Sequence, residues 1–600
     1  MAMKKISLAA IGILGVMFIL MLASSWNDSA IMDELAHIPA GYSYITQRDM
    51  RLNPEHPPML KDLAGLSTLL FVHPHFPLDT TYWRDDVNGQ WGQGTKFLYE
   101  SGNDANRIIF WSRMPFILLT LLLGWILFRW TQKRFESRAA LLALTFFAFS
   151  PTVLTHARFV TTDIGAAFGF FIGIASLLKF LERPSWRNVL LAGLAFGVAQ
   201  LLKFSLVLLL PLYGLVIAGW VLTRPFMDAR ERMRALARML AKTAVIGVIA
   251  MSVIWVVYAF HTWNYPRERQ MRDTKFLLGS YGFQPAVNLD LALIRHPLTR
   301  PLGQYLLGIL MVQQRASGGN TAFFLGEVSG AGSRLYFPLL YILKEPLAFH
   351  LMGLIALGAA IAAWRRKKSY ALRAWIERHF TEFTALCFIV LYWAVSVKSP
   401  LNIGVRHILP TFPFLYILTA RGVIQWLETR HPADEPLSWQ GTLKNIYHLY
   451  IRPVPKYALA ALLILWLIAD TLLIFPHFMT YYNELAGGPE RGYEIAVDSN
   501  YDWGQDLRRL ADFVQKNHIE KIAVDYFGGG SPAYYLKEKY ISWWDKREPE
   551  PGWYAISSFF YQESIYKQKP AGTRDYSWLK KFTPITRAGD SIFIYYIPEK

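Results

Sequence analysis

The sequence predicts an α-helical, polytopic membrane protein with a small α/β domain at its carboxyl-terminal end, and three observations carry that prediction. Of its 600 residues 53% are hydrophobic and only 18% charged, with a positive mean hydropathy, which is too apolar for a soluble enzyme of this length. The apolar residues gather in runs long enough to cross a bilayer. Beyond about residue 475 those runs stop, and shorter alternating segments with strand and helix spacing replace them.

A helix needs about 20 mostly apolar residues to cross hydrocarbon, because no backbone polar group can go unpaired there, and about eleven segments meet that criterion. They run Ile6 to Ala23, Ile108 to Trp130, Ala139 to Leu154, Ile164 to Leu181, Val189 to Leu202 and Ser205 to Leu222. Thr243 to Phe260, Pro338 to Trp364, Phe383 to Val397, Ile408 to Leu427 and Tyr457 to Phe475 follow. The first has the look of a secretory signal, with Lys4-Lys5 ahead of a run that ends in Ala23-Ser24-Ser25. Its run of about 18 residues exceeds the 7–15 of a signal core, so it reads as an uncleaved span.

Lys203 interrupts the stretch from Val189 to Leu222, and charge decides how to divide it. Arg224, Arg230, Arg232, Arg234, Arg238 and Lys242 form a basic loop that belongs inside, and only two spans joined near Lys203 put it there. Lys133, Arg134 and Arg138, then Arg183 and Arg187, then Arg365, Arg366, Lys367 and Lys368 fall on the same side. The net charge of +18 is therefore a topological signature, with no nucleic-acid partner implied. The amino terminus is expected in the cytoplasm. Three pieces are expected outside: residues 26–107, 261–337 and 476–600. Residues 1–475 form the transmembrane module and 476–600 an external α/β domain. Cys387 is the one cysteine, so no internal disulfide can form.

In the tail, Leu507, Leu510, Phe513 and Val514 have helical spacing, while Lys521 to Phe527, Trp553 to Phe559 and Ser591 to Ile597 read as strands. Asp498, Asn500 and Asp502 resemble the opening of a calcium loop. Trp503 replaces the turn glycine and Arg509 the closing Glu, so a turn and helix cap is the better reading.

The residues able to act on a substrate fall at external ends of spans. Asp33 and Glu34 come first, followed by His37 and a stretch from Arg51 to Lys61 that holds Glu55, His56 and the paired Pro57-Pro58. The prolines fix the backbone around Glu55 and His56, and Pro58 suits the opening of the next helix. Asp33 and Glu34 also suit a simple helix start, where carboxylates face the positive end of the dipole. His156, Arg158 and Asp163 form a second cluster, in which Asp163 suits an N-cap. Lys203, between Leu202 and Phe204, would cost about 2.5–3.5 kcal/mol at mid-bilayer and less near the interface, so it wants an anionic partner or snorkels to the headgroups. Arg406-His407 joins two spans, and Lys344-Glu345-Pro346 interrupts another, where Glu345 suits pairing with Lys344 or a nearby arginine.

Taken in order, these residues resemble the protein O-mannosyltransferase and aminoarabinose-transferase superfamily of GT-C membrane glycosyltransferases. The resemblance rests on Asp33-Glu34 with His37, Gly41 and Tyr42, the Asn53 to Lys61 segment, Asp163 after Arg158, and Lys203 before a Leu-rich run ending at Pro211. Tyr336-Phe337-Pro338 with Lys344 and Pro346, and Arg406-His407 with Pro410, also fit; the run from Asp498 to Leu507 is similar to a bacterial branch. The resemblance implies a GT-C-like fold in a bacterial inner membrane. It also implies transfer of a sugar from a polyprenyl-phosphate donor to a protein, lipid or glycan acceptor outside, with inversion. Asp33 is implied as general base, Asp163 as orienting the acceptor or a cation, and Glu34 as helper. Lys203, Arg406, His407, Arg158 and Lys61 are implied at the donor phosphate, and His37, Glu55 and His56 around the donor pocket. Asp33, Glu34 and Asp163 offer oxygen ligands suited to magnesium or manganese. Members differ in metal use, so no cofactor is fixed by the resemblance. The rival reading is a transporter or lipid flippase, which also places charges near spans. It predicts inverted repeats and midplane sites, and the sequence has no visible repeat.

Overall fold

The computed structural model of the chain describes residues 2–224, 228–366, 372–428, 451–570 and 572–599, together with Trp439, Thr442, Lys444 and Tyr447. Helices follow every expected apolar segment. The first half contains α1 (Ala2–Ser25), α2 (Met32–Gln47), α3 (Met59–Phe71), α4 (Ala105–Arg134), α5 (Ser137–Ala148), α6 (Pro151–His156), α7 (Asp163–Glu182), α8 (Trp186–Gln200), α9 (Leu209–Thr223) and α10 (Ala229–His261). The second contains α11 (Arg267–Leu277), α12 (Gln284–Arg295), α13 (Arg300–Gly318), α14 (Tyr336–Lys344), α15 (Leu347–Arg366), α16 (Phe380–Lys398), α17 (Phe412–Leu427) and α18 (Val454–Leu473). Asp104, Ser185 and Asp228 open α4, α8 and α10 by accepting a backbone N–H three residues on.

Among the described residues, nine helices are long and apolar enough to cross a membrane. The two remaining expected spans are shorter: Ala139 to Leu154 breaks at Phe149-Ser150 into α5 and α6, and Val189 to Leu202 is the 15-residue α8. Leu8, Ile19, Val248, Leu354, Val390 and Leu465 stand exposed along the bundle, as a lipid-facing surface requires. The chain is a multi-pass membrane protein. Pro346 splits the segment from Pro338 to Trp364 into α14 and α15. At that break Glu345 accepts hydrogen bonds from Ser150 and Tyr416, and Lys344 donates to the carbonyls of Met479 and Asn500, so the two are not paired with each other.

Arg134 pairs with Glu182, Lys242 donates to the Pro184 carbonyl, and Arg373 to those of Thr223 and Arg224. The basic loops thus share one end of the bundle; Lys367 and Lys368 lie outside the described residues. At the opposite end, α2 and α3 cross in backbone contact. A side chain on Gly41 would meet the Lys61 carbonyl at 2.0 Å, and one on Gly65 would meet the Gly41 carbonyl at 2.2 Å.

The chain after α18 packs its first part into that same end: Phe478, Tyr482, Ala496 and Tyr501 belong to the bundle's core. Two separate apolar clusters follow, on either face of a five-stranded sheet of order β4-β3-β5-β7-β6. Its strands are β3 (Ile522–Asp525), β4 (Tyr540–Ser542), β5 (Gly552–Ser557), β6 (Thr586–Ala588) and β7 (Ile592–Ile597); a short hairpin, β1 (Ala322–Phe324) and β2 (Glu327–Ser329), precedes them in the chain. β3 runs parallel to β4 and β5, and β7 antiparallel to β5 and β6. Helix α19 (Leu507–Lys516) packs on one face and α20 (Ser558–Tyr566) follows β5. The tail also grips the start of α2. Ser29 N–H donates to the Gln505 carbonyl, Met32 N–H to that of Trp503, and Gly529 N–H to that of Ala30.

Candidate active site

The neighbours Asp33 and Glu34 point into different worlds. Glu34 is fully buried and takes four hydrogen bonds: Arg113 Nε at 2.8 Å, Arg113 Nη2 at 2.6 Å, and the backbone N–H groups of Ile31 and Val160 at 3.0 Å each. Its bond to Ile31 N–H caps α2, so the helix-start role falls to Glu34. Arg113 also donates to the Ser29 and Asp28 carbonyls at 2.8 and 3.2 Å. Asp28 in turn accepts from Arg158 at 3.0 Å and from Arg509 of the tail at 2.8 Å. This buried network fixes the chain entering α2. Glu34 and Arg158 belong to it and do not line the cavity beside it.

Asp33, one residue earlier on α2, has a side chain 26% exposed and lines that cavity. Its Oδ2 accepts from Arg406 Nη1 at 2.9 Å, and the same nitrogen reaches Asp163 Oδ2 at 3.3 Å. Asp163 Oδ1 accepts from Lys203 Nζ at 2.6 Å. Asp163 is the first residue of α7, behind Thr162, and its carboxylate serves the two cations in place of a backbone cap. Lys203 has found its anion at the turn between α8 and α9, and with 16% exposure it stays reachable from the cavity. Arg406 stacks over the Trp503 ring at 4.0 Å, and its buried Nε has no hydrogen-bond partner among the described residues. A charge row thus runs Asp33, Arg406, Asp163, Lys203, assembled from four distant parts of the chain.

His37, Glu55, His56 and His407 complete the expected cavity wall. His37 Nδ1 meets the Val160 carbonyl at 2.7 Å, and its ring stands edge-on to that of His56 with centroids 5.1 Å apart. Burial lowers the His37 pKa to about 4 against the opposing pull of Asp33, and burial with His37 and Lys61 nearby holds His56 well below the ordinary imidazole range. Both rings are therefore neutral near pH 7, suited to hydrogen bonding and not to neutralising a phosphate. Arg315, at the end of α13, reaches the cavity too, 4.0 Å from Glu55. Nothing in its amphipathic surroundings sets it apart from a surface arginine in the sequence. Leu208, Val312, Tyr392 and Val395 give the cavity an apolar wall.

Lys61 lies beneath the cavity wall. Its ammonium donates to the Asn53 carbonyl at 2.7 Å, Asn53 Oδ1 at 2.8 Å, the His56 carbonyl at 2.9 Å and the Tyr44 hydroxyl at 3.0 Å. Burial lowers its pKa to about 7, with Glu55 and Asp62 acting the other way. It holds the loop that carries Glu55 and His56 and does not itself line the cavity. Lys61→Met is expected to leave those acceptors unsatisfied, destabilise the fold by about 1–3 kcal/mol and raise KM more than it lowers kcat. Hydrogen exchange checks it: amides 53–56 lose protection in the variant, and unchanged protection refutes the assignment.

Asp33, Glu34 and Asp163 do not converge on a cation position, since Glu34 is committed to Arg113 and the other two share Arg406. Among the described residues no group of three or more His, Cys, Asp or Glu side chains is placed to hold a metal. Asp498, Asn500 and Asp502 likewise diverge. Asn500 bonds Val405 N–H and the Tyr336 hydroxyl, whereas Asp502 takes Phe559 N–H and Ser557. Asp502 also makes the turn bond to Gly504 N–H, and neither caps α19, which starts at Leu507.

Residues 11–266 match the family of dolichyl-phosphate-mannose-protein mannosyltransferases, the part of the chain that carries Asp33, Asp163 and Lys203. No curated protein matches the chain significantly. Among solved structures, ArnT from Cupriavidus metallidurans bound to undecaprenyl phosphate is similar at 15% identity, covering 99% of this chain and 98% of that one, with a TM-score of 0.46. The Saccharomyces cerevisiae protein O-mannosyltransferase Pmt1–Pmt2 complex bound to its sugar donor is similar at 16% identity, over 43% of this chain and 34% of that one, with a TM-score of 0.33. The Archaeoglobus fulgidus oligosaccharyltransferase AglB, in complex with an inhibitory peptide and a dolichol-phosphate, is similar at 12% identity over 94% and 71%, with a TM-score of 0.44.

Proposed function

We propose that the chain transfers a glycosyl group from a polyprenyl-phosphate-linked sugar to an acceptor hydroxyl, at the end of the bundle that carries the sheet and on the external face of a bacterial inner membrane. The observation that carries this reading is one cavity holding an accessible carboxylate, Asp33, beside Arg406 and Lys203, with an apolar wall at the end of a membrane bundle. A donor of this class is a phosphodiester with a lipid tail, and such a cavity offers both halves of it a surface. The family match over residues 11–266 supports the same class.

In the proposed reaction the acceptor oxygen attacks the anomeric carbon as its proton passes to Asp33. The carbon–oxygen bond to phosphate breaks, and the electron pair stays on the lipid phosphate. Attack and departure on opposite faces invert the anomeric centre. Lys203 is the cation that can turn from Asp163 to the departing phosphate, because Asp163 keeps Arg406 when Lys203 moves. Asp163 thus pairs with both cations at once.

The test supplies purified protein with polyprenyl-phosphate sugars and acceptors and follows release of polyprenyl phosphate. Lys203→Ala is expected to lower turnover about 10²–10³-fold, the usual loss when one preorganised charge-stabilising group is removed. Wild-type turnover in that variant removes Lys203 from the mechanism. Facilitated lipid movement without bond cleavage would instead favour a flippase.

A further inference from the structure

A second pocket opens where the hairpin of β1 and β2 meets the tail, and it shares no residue with the cavity at Asp33. Its volume is about 450 Å³, within the range of small-molecule sites. The hairpin tip, Leu325-Gly326, forms one side, Tyr493 and Glu494 another, and the end of α20 with Lys580 the rest. Backbone pairing holds these pieces together: Leu325 N–H donates to the Ile495 carbonyl at 2.9 Å, and Phe324 bridges to Ala496. Gly326 has a φ of 82°, and a side chain there would lie against the Tyr566 ring at 3.6 Å, so glycine both makes the turn and keeps that side of the ring bare.

Three tyrosines line this pocket, and packing fixes each ring. Tyr493 and Tyr561 stand edge-on to Phe593 of β7 with centroids 4.9 and 5.4 Å away, and Tyr566 packs on Phe323 of β1 at 5.3 Å. The polar groups between the rings are unspent. Gln562 is only 3% exposed; its Nε2 donates to the Tyr493 carbonyl at 2.9 Å, which orients the amide and leaves Oε1 without a partner among the described residues. A buried amide oxygen wants a donor, and here the donor must come through the pocket. The hydroxyls of Tyr561 and Tyr566 and the Lys580 ammonium make no hydrogen bond among the described residues either, and Lys580 Nζ stands 5.9 Å over the Tyr566 ring. Glu494 pairs with Arg491 at 2.9 Å and keeps its side chain 43% exposed.

This combination selects a ligand class. A pyranose ring has an apolar C–H face, which lies on a tyrosine face, and a rim of hydroxyls, which bond to amide, carboxylate and ammonium groups. A lipid chain would desolvate Glu494, Gln562 and Lys580 and give them nothing in return. A peptide docks by pairing with a strand edge or by laying an apolar face in a groove, and neither strand of the hairpin lines the pocket. The hairpin also ties the pocket to the charge row. Arg315, near the end of α13, lines the cavity at Asp33, and a side chain on Gly319 just beyond it would meet Pro400 at 3.4 Å, between the cavity residues Ser399 and Leu401. The chain from Gly319 to Gly326 spans at most about 25 Å. Resting on the transferase reading, we propose that the pocket is a glycan-binding subsite for the acceptor, holding one sugar unit on its tyrosines while another unit of the same glycan presents its hydroxyl to Asp33. The acceptor is thereby an extended glycan of several units.

The test places the full-length protein in detergent on an array of bacterial cell-envelope oligosaccharides displayed without lipid, beside an array of unstructured peptides. The wild-type protein is expected to bind a subset of the glycans. Tyr566→Ala should weaken that binding about 5–10-fold, the worth of one aromatic contact, and Lys580→Ala about threefold, the worth of one hydrogen bond. Tyr566→Phe keeps the ring and should stay within about threefold of wild type, which separates a lost contact from a lost fold, since Tyr566 is 42% exposed. A blank glycan array, glycan binding that Tyr566→Ala and Lys580→Ala both leave unchanged, or binding of peptides alone that Tyr566→Ala removes overturns the proposal. The glycans that bind are then offered as acceptors with polyprenyl-phosphate sugars. Tyr566→Ala should raise the acceptor's KM by the factor seen on the array, and an unchanged acceptor KM overturns the acceptor role. If the wild-type protein releases no polyprenyl phosphate from any donor, the transferase reading fails on its own, and the array still decides whether the pocket binds a glycan.

Discussion

Asp33→Asn is expected to lower turnover of a lipid-linked sugar about 10²–10⁴-fold, the range a positioned general base contributes, while leaving thermal unfolding within experimental scatter of wild type. The separation of the two readouts follows from geometry. The Asn side-chain oxygen can still accept from Arg406 in the place of Asp33 Oδ2, so the charge row loses one anion and keeps its hydrogen bond. Asp33 makes no other side-chain hydrogen bond among the described residues, and its 26% exposure lets water replace what the carboxylate solvated. What Asn cannot do is take a proton from an attacking hydroxyl. KM for the lipid donor should change little, because the variant removes an interaction made in the transition state. A variant that releases polyprenyl phosphate at the wild-type rate, with every acceptor the wild type uses, would refute the role of Asp33.

The membrane spans were legible because bilayer thickness imposes a length on apolar runs, and the hairpin at Lys203 was legible because basic loops sort to one side. Broken helices were harder. The Ala139 to Leu154 segment reads as one run, and only the turn at Phe149-Ser150 separates α5 from α6. In the site, residue type and order identified Asp33, Asp163, Lys203 and Arg406, since an intramembrane or interfacial charge needs a partner. Which partner it takes is a property of tertiary packing. Nothing local says that Lys203 meets Asp163, that Lys61 turns under its own loop, or that Arg315 at the end of an amphipathic helix enters the cavity. In the tail the expected turn at Asp498 is present but the helix cap is not, for the same reason: Ser499 and Asn500 are spent on Ile403, Val405, Tyr336 and Lys344 far back in the chain, and Asp502 on Gly504, Ser557 and Phe559.

Glu34→Ala is expected to show the opposite pattern from Asp33→Asn: a loss of about 3–5 kcal/mol in stability, the cost of leaving one member of a buried ion pair alone, with turnover per folded molecule preserved within about tenfold. Arg113 would keep its bonds to the Ser29 and Asp28 carbonyls, yet its charge would sit fully buried with the nearest carboxylate gone. The Ile31 and Val160 N–H groups would lose their acceptor as well, so the start of α2 would fray. Replacing both partners, Glu34→Leu with Arg113→Met, should recover part of the loss, because an apolar pair in a buried site carries no desolvation penalty. Recovery is incomplete by construction: the carbonyls of Ser29 and Asp28 then lack the donor that Arg113 supplied. Unfolding of detergent-solubilised protein, followed by heating at one fixed rate, reads the ranking wild type above double variant above Glu34→Ala. If Glu34→Ala melts with wild type and loses turnover as Asp33→Asn does, then Glu34 acts in the chemistry and the buried pair with Arg113 is not what fixes α2.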